Sequence, residues 1–524
     1  MTLTVAESGI TEQVHTTTDV RHSPHEARKP LAVFVLATTA GILLALAYAQ
    51  TPLWWAAWIG SGAALASLLL VQPQIRTPLA LAIGLVGGVT SFTYYATVSQ
   101  GAGIAALLIG GRALLWTAML GLSVKTIERI DARLAIFALP IVLAAADTII
   151  NRLSEHGAAG SLAYSQMDLL PIVQIASIGG TPAMLFAIGL GSSIIGLILA
   201  LVLGRSDLRN VPAAASIAGL LLVGGFAFGY ARLHGANVID YPRSVPRASD
   251  VALIARDGLT GPDATAVGFR AAYGPALDSA ARPGRLVLLP EALLRVDGTT
   301  ANNLAAELAK LAGARKATIV AGFVVDHDGM TRNRALVASA TGGIAWYDKH
   351  HLVPGFEDDT SPGRRLLIFN LDGQKAGIAI CKDMHFPSFG RRFARRGVDL
   401  MIVPANDFVV DRWMAARMTT LRGVEGGYSV VRTARQGLLS VSDQYGRMLA
   451  ESASGPQTTT MVASIPTMRL FGPTLYARIG DLFGWLCVAI TFVAFLLLKT
   501  LQRGTHIQSH SVAPEGSVRS ISGE

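Results

Sequence analysis

Three residues in this 524-residue chain combine types and settings suited to acyl transfer through a thioester. Cys381 ends the apolar run Gly377-Ile-Ala-Ile-Cys381 and is followed by Lys382-Asp-Met-His-Phe-Pro387. Glu291 closes Leu286-Val-Leu-Leu-Pro-Glu291, and Lys349 lies inside Trp346-Tyr-Asp-Lys-His-His-Leu-Val-Pro354. A cysteine attacks as its thiolate and needs a base to take the proton. Glu291 can be that base if partial burial raises its pKa. The tetrahedral intermediate then needs donors aimed at its oxyanion, and Lys349 with the backbone amide of Lys382 forms the natural pair. Taken singly, none of the three carries this message: a strand-terminal Cys is more often a buried hydrophobe, and a lone Glu or Lys is usually solvated. The ordered trio, each member in a detailed local context, carries it.

The elements around these residues read as alternating strands and helices. Short apolar runs at Val251–Ala255, Arg285–Leu289, Ala317–Val325, Gly377–Cys381, Leu400–Pro404 and Tyr428–Thr433 predict strands, and Ala301–Ala314 and Asp411–Gly426 predict helices. That alternation predicts an α/β domain over 243–470 with a buried sheet. Catalytic groups at strand ends suit such a domain, because the strand is rigid and the following loop is open to a ligand.

Composition places this domain beside a membrane part. The chain is 51% hydrophobic and 15% charged, and residues 31–232 hold few ionisable groups. A bilayer core of about 30 Å requires about 20 apolar residues as a helix. Such runs fall near 31–49, 55–71, 77–98, 102–123, 133–150, 180–203, 212–231 and 480–499. The expected organisation is a cytoplasmic segment 1–30, a seven-helix membrane domain 31–232, the catalytic domain 243–470, an eighth span 480–499 and a cytoplasmic tail 500–524. Lys and Arg recur in alternate loops, at Arg76, at Lys125, Arg129 and Arg133, at Arg205 and Arg209, and at Lys499 and Arg503. By the positive-inside rule both termini face the cytoplasm and 243–470 faces the far side of the inner membrane. The same placement turns the net charge of +9 away from nucleic acid. Arg112 and Asp147 interrupt two spans; the plainer reading is a shorter or tilted span at Arg112 and a position near an outer helix end for Asp147. The two cysteines, Cys381 and Cys487, exclude a disulfide framework. His350, His351 and His385 show no metal-ligand arrangement, no phosphate-cradling loop is present, and the chemistry calls for no cofactor.

The order Glu, Lys, Cys, with Pro290-Glu291, Lys349 before His351-Leu-Val-Pro354, and Cys381-x-Asp383-x-x-Phe-Pro387, resembles the carbon–nitrogen hydrolase (nitrilase) superfamily. Leu162-Ala-Tyr-Ser-Gln166 and Pro171 to Gly180, with Pro404-Ala-Asn-Asp407, Ala416-Arg-Met418 and Arg422 to Tyr445, are similar to its membrane branch, the apolipoprotein N-acyltransferase family. The resemblance implies a multi-span α-helical membrane domain joined to a nitrilase-type α-β-β-α sandwich. It implies that Cys381 takes an acyl chain from membrane phospholipid, that Glu291 is the general base and acid, and that Lys349 stabilises the oxyanion. The acceptor is then the N-terminal amine of a diacylglyceryl prolipoprotein. Glu357 matches a supporting glutamate of the family, and Asp383 stands where these acyltransferases usually carry Glu. A monomer is expected.

Several departures bear on the substrate. Lys382 replaces an aromatic beside the nucleophile, Leu289 replaces a Trp, Gly355-Phe-Glu357 replaces Phe-Gly-Glu, and the small, flexible His156-Gly-Ala-Ala-Gly160 replaces an aromatic-rich approach. Lys382 either lowers the Cys381 pKa by its charge or is a solvated loop residue. The same triad would also serve a membrane-bound amidase or nitrilase, or an acyltransferase with another amine acceptor. A paralogue that binds lipid without catalysis is disfavoured by retention of all three residue types.

Overall fold

The computed structural model describes residues 24–129, 131–208, 210–239, 249–259, 264–465 and 472–509. The expected terminal segments at 1–23 and 510–524, Arg209, and the edges 243–248 and 466–470 lie outside the described residues, as do the side chains of Arg28, Lys29 and Arg503.

The helices of the apolar part are Pro24–Ala47, Trp54–Leu70, Pro73–Gly88, Phe92–Val98, Ala102–Ile127, Ala138–Leu153, Ala176–Val202, Val211–Ile239 and Leu482–Ser509. A 3₁₀ turn at Val89–Ser91 joins the third to the fourth, so the two run on as one span. Seven stretches among the described residues are long and apolar enough to cross a membrane, and Trp54–Leu70 is an apolar helix of 17 residues. Side chains that would need burial in water, such as Leu107, Leu220, Val202 and Phe492, are exposed. A lipid-facing surface explains them. The chain is a multi-pass membrane protein. Its helices approach closely through small residues: a Cβ on Gly84 would lie 2.7 Å from the Ala113 Cα, and one on Gly189 2.5 Å from the Pro140 Cα.

Asp147 lies within the last two turns of the helix Ala138–Leu153, whereas Arg112 lies far from either helix end. Arg112 sits in the middle of Ala102–Ile127, where it donates to Ser91 Oγ at 2.9 Å and to the Tyr95 hydroxyl, and lies over the Tyr48 ring at 4.2 Å. Asp147 accepts from Thr181 Oγ1 at 2.6 Å and Asn151 Nδ2 at 2.9 Å. Each finds at least one partner on a neighbouring helix, Tyr95 for Arg112 and Thr181 for Asp147, which sequence alone could not place.

The remainder is a two-sheet domain. Its strands are β1 (Ser249–Ala255), β2 (Leu286–Leu288), β3 (Arg295–Asp297), β4 (Thr318–His327), β5 (Met330–Ala338), β6 (Ile344–Asp348), β7 (Leu367–Leu371), β8 (Gln374–Ile378), β9 (Leu400–Asn406), β10 (Ser429–Arg435), β11 (Leu438–Ser442), β12 (Met448–Ala453) and β13 (Thr459–Ile465). One sheet runs β13-β1-β2-β4-β5-β6 with β3 on β4, and the other runs β12-β11-β10-β9-β8-β7. The parallel strands at each centre are buried on both faces, which is why they read as unbroken apolar runs. In β1, Val251, Leu253 and Ala255 enter the core between the sheets, while Ala252 and Ile254 face the helices Ala266–Ala280 and Gly298–Arg315. The helix Arg412–Gly426 covers the second sheet and places Met418, Leu421 and Val424 in the core of the membrane part, beside Leu162, Tyr164 and Ala176. The result is the α-β-β-α sandwich, seated on the membrane helices.

Candidate active site

The strand ladders stop short of the reactive residues. β2 ends at Leu288 and β8 at Ile378, each three residues before its reactive side chain, and only Lys349 directly follows its strand. The intervening turns aim the side chains. Leu289 N–H still donates to Val320 O at 2.8 Å, after which Pro290 and Glu291 pass so close to Gly322 that a Cβ there would lie 2.5 Å from the Glu291 Cα. Glu291 N–H then donates to Ala405 O at 3.2 Å, on the other sheet. Cys381 begins a 3₁₀ segment, Cys381–His385, and has φ of +41°. A non-glycine residue in that region is strained by about 1–3 kcal/mol and persists only where its surroundings hold it.

Asp383, fully buried, is what holds it. Its Oδ2 accepts from the Ile380 amide at 3.0 Å and the Tyr347 hydroxyl at 2.6 Å. Its Oδ1 accepts from the amides of His350 at 3.1 Å and His351 at 2.8 Å, and His351 Nδ1 lies 3.0 Å away. One carboxylate thereby ties the cysteine turn to the segment carrying Lys349. Burial works against its charge, but the bonds from His351 and Tyr347 outweigh that and hold its pKa below the usual aspartate value.

Lys349 and Glu291 are both buried, with Nζ 2.7 Å from Oε1. Lys349 also donates to Glu357 Oε2 at 2.8 Å, so two of its three protons are committed and, among the described residues, one is free. Asn333 bridges the two glutamates, its Nδ2 donating to Glu291 Oε1 at 2.7 Å and to Glu357 Oε1 at 2.6 Å. Glu357 Oε2 further accepts from the Val353 amide at 2.8 Å. Glu291 Oε2, by contrast, is buried with no hydrogen-bond partner among the described residues. An orphaned buried oxygen on a carboxylate needs a reason, and a proton waiting to be received is one.

The electrostatics fit that reason. Burial raises the Glu291 carboxyl above its ordinary value, with Lys349 pulling the other way. Burial disfavours the Lys349 charge, but Glu291 and Glu357 override it and the ammonium is held above the usual lysine range. Burial, then the charge of Glu291, pushes the Cys381 thiol well up, with Lys349 opposing. Cys381 Sγ lies 3.7 Å from the Asn406 carbonyl.

Lys382 is not a solvated loop residue. Its side chain is buried and Nζ donates to Leu352 O at 2.7 Å; burial, and next the charge of Lys349, lowers it to about 8. Asn333 escaped the sequence reading. It shares a face of β5 with the inward-facing Ala335 and Val337, so a polar residue at inward parity was the available signal. The buried Arg432, which grips both oxygens of Asp407 behind the cysteine, was quoted as part of a likeness but given no role.

A two-sheet sandwich with a Glu-Lys-Cys constellation and a membrane-helix bundle defines a membrane-bound enzyme of the carbon–nitrogen hydrolase class. Comparison with known families agrees: the carbon-nitrogen hydrolase model matches residues 276–470, and the apolipoprotein N-acyltransferase N-terminal domain model matches residues 40–194. The chain belongs to the apolipoprotein N-acyltransferase family. It is 25% identical to the apolipoprotein N-acyltransferase of Geobacter metallireducens over 88% of this chain and 94% of that one. To the apolipoprotein N-acyltransferase of Haemophilus ducreyi it is 22% identical over 91% of this chain and 98% of the other. Among solved structures, a CN-hydrolase superfamily protein of Xanthomonas campestris aligns with 42% of this chain and 91% of its own at 22% identity, with a TM-score of 0.35.

Proposed function

We propose that this protein transfers an acyl chain from membrane phospholipid to Cys381, and from there to the α-amino group of a diacylglyceryl-cysteine at the start of a lipoprotein. The observation that carries the reading is the uncommitted Glu291 Oε2 beside a strained cysteine and a lysine with one free proton. In the first step Glu291 takes the thiol proton, sulfur attacks the phospholipid ester carbonyl, and the free Lys349 proton and the Lys382 amide bind the oxyanion. Losing one such donor typically costs about 10²–10³ in rate. The tetrahedral intermediate expels the lysophospholipid alkoxide, which takes the proton from Glu291. In the second step an amine attacks the thioester, and Glu291 passes a nitrogen proton to the departing sulfur. Glu357 and Asp383 position Lys349 and Cys381 and touch neither reactant.

The arrangement of loops supports catalysis on the face away from the cytoplasm. Arg76, Glu128 and Arg205 meet at one end of the bundle, with Arg76 Nη2 2.6 Å and Arg205 Nη1 3.7 Å from Glu128 Oε1. The opposite helix ends reach the two-sheet domain: Gln100 Nε2 donates to Gly355 O at 3.3 Å and Gln174 Nε2 to Tyr445 O at 2.8 Å. The positive-inside rule assigns the arginine end to the cytoplasm. The test is the intact mass of a lipoprotein purified from cells with and without this protein. The expected result is one additional N-linked acyl chain only when the protein is present; equal masses would refute the reading.

A further inference from the structure

The acyl-transfer reading, on which this inference rests, asks Glu291 to receive a proton at Oε2, and so depends on how the turn after β2 is held. That turn is strained. Ala292, the residue after the base, has φ of +50°, a left-handed conformation that a non-glycine residue keeps only where its surroundings fix it. Cys381 shares this strain and is held by Asp383. Ala292 needs a counterpart.

The counterpart is Arg435, the last residue of β10 in the opposite sheet. Its Nη1 donates to the Ala292 carbonyl. Its own backbone carbonyl accepts from the Asp407 amide at 2.9 Å, and Asp407 follows Asn406, whose carbonyl lies 3.7 Å from Cys381 Sγ. One residue thereby links the turn of the base to the turn beside the nucleophile. The guanidinium is itself confined, because a Cβ on Gly258, in the segment after β1, would lie 2.6 Å from Nη2, and Gly258 has φ of +145°. The neighbouring Arg432 is spent on Asp407 through both oxygens, whereas Arg435 enters no ion pair among the described residues. The Glu291 amide, donating to Ala405 O at 3.2 Å, is a second tie between this turn and the other sheet, but it leaves the Ala292 carbonyl unheld.

We propose that Arg435 is a positioning residue for the general base: by holding the Ala292 carbonyl it fixes the strained turn that carries Glu291, and with it the place of Oε2 relative to Cys381. Arg435 touches neither reactant and moves no proton. Its effect passes through Glu291, so removing its side chain matters only while Glu291 is there to be placed.

The experiment measures the initial rate of acyl-enzyme formation by the purified full-length protein on vesicles of a single diacyl phospholipid. Arg435→Met keeps an unbranched side chain of similar length without the donors. It should acylate at least about tenfold more slowly, as a displaced catalytic group does, with the half-saturating lipid concentration unchanged. Arg435→Lys, which keeps the charge and a donor, should lose less. In the slower Glu291→Gln background, adding Arg435→Met should cost less than about twofold, the sign of two residues acting as a unit. A wild-type rate in Arg435→Met, an equal loss in Arg435→Lys, or a full tenfold loss repeated in the Glu291→Gln background would each overturn the proposal. If Arg435→Met does not insert in membranes, Arg435→Lys carries the same comparison with Glu291→Gln. Absence of acyl-enzyme in the wild type would instead refute the reading beneath it.

Discussion

The backbone amide of Ala158 donates to the carbonyl of His385 at 2.9 Å, so a loop of the membrane part grips the turn that carries Cys381. The contact needs Gly157, which has φ of +56° and whose absent Cβ would lie 2.7 Å from that carbonyl and 3.0 Å from Phe386 Cδ1. The small residues of 156–160 are therefore a fitted surface for the nucleophile turn. Gly157→Ala should strain the loop and displace the cysteine, and a shift of 1 Å can cost on the order of 10²-fold in rate. The initial rate of acyl-enzyme formation should fall at least about tenfold, with the protein still inserted in membranes. A wild-type rate would show that the contact does not position Cys381.

Asn333 should behave as a positioning residue. Its amide gives Glu291 and Glu357 one hydrogen bond each, and a hydrogen bond to a charged group is worth about 1.5–3 kcal/mol. Asn333→Ala should slow acylation by roughly 10- to 100-fold. A loss of packing alone would leave the pH profile in place. Loss of the bond should instead move the acid limb to higher pH, because that bond holds the Glu291 pKa down.

These two residues mark where sequence stopped being informative. The triad was legible because each member sits in a dense local pattern: a proline before Glu291, a His-Leu-Val-Pro run after Lys349, a Phe-Pro after Cys381. The central strands were legible because burial on both faces writes an unbroken apolar run. The half-buried strands β12 and β13 alternate and were passed over. Asn333 is a single polar residue whose meaning depends on which face of β5 turns inward. The Ala158 to His385 contact joins positions more than two hundred residues apart, and nothing local to either announces it. Arg112 looked like a fault in a span because its partners, Tyr48 just past the first helix and Tyr95 on the fourth, lie far from it in sequence.

The pH dependence of acylation follows from the shifts in the triad. Glu291 acts as a carboxylate and its pKa is raised by burial, so the rate should be lost as pH falls through a value above the ordinary glutamate pKa of about 4.3. Lys349 acts as an ammonium and its pKa is raised by Glu291 and Glu357 over the opposing effect of burial. No alkaline limb from Lys349 should appear below the ordinary lysine value of about 10.4. Single-turnover acylation rates across the pH range, with stability monitored separately, check both limbs. An acid midpoint at or below 4.3, or a Lys349-dependent loss near pH 8, would contradict the assignment.

The most direct test is covalent. Of the two cysteines, Cys487 packs against Ala144 and Ala145 in an apolar cluster with no base beside it among the described residues, whereas Cys381 stands with Glu291 and Lys349. Incubated with phospholipid and no acceptor, the protein should gain the mass of one acyl chain, sensitive to hydroxylamine and located on Cys381 by peptide mass spectrometry. Cys487→Ala should label as the wild type does, and Cys381→Ala should not label at all. Hydroxylamine-stable label on the Cys381→Ala protein at the wild-type level would contradict the thioester mechanism.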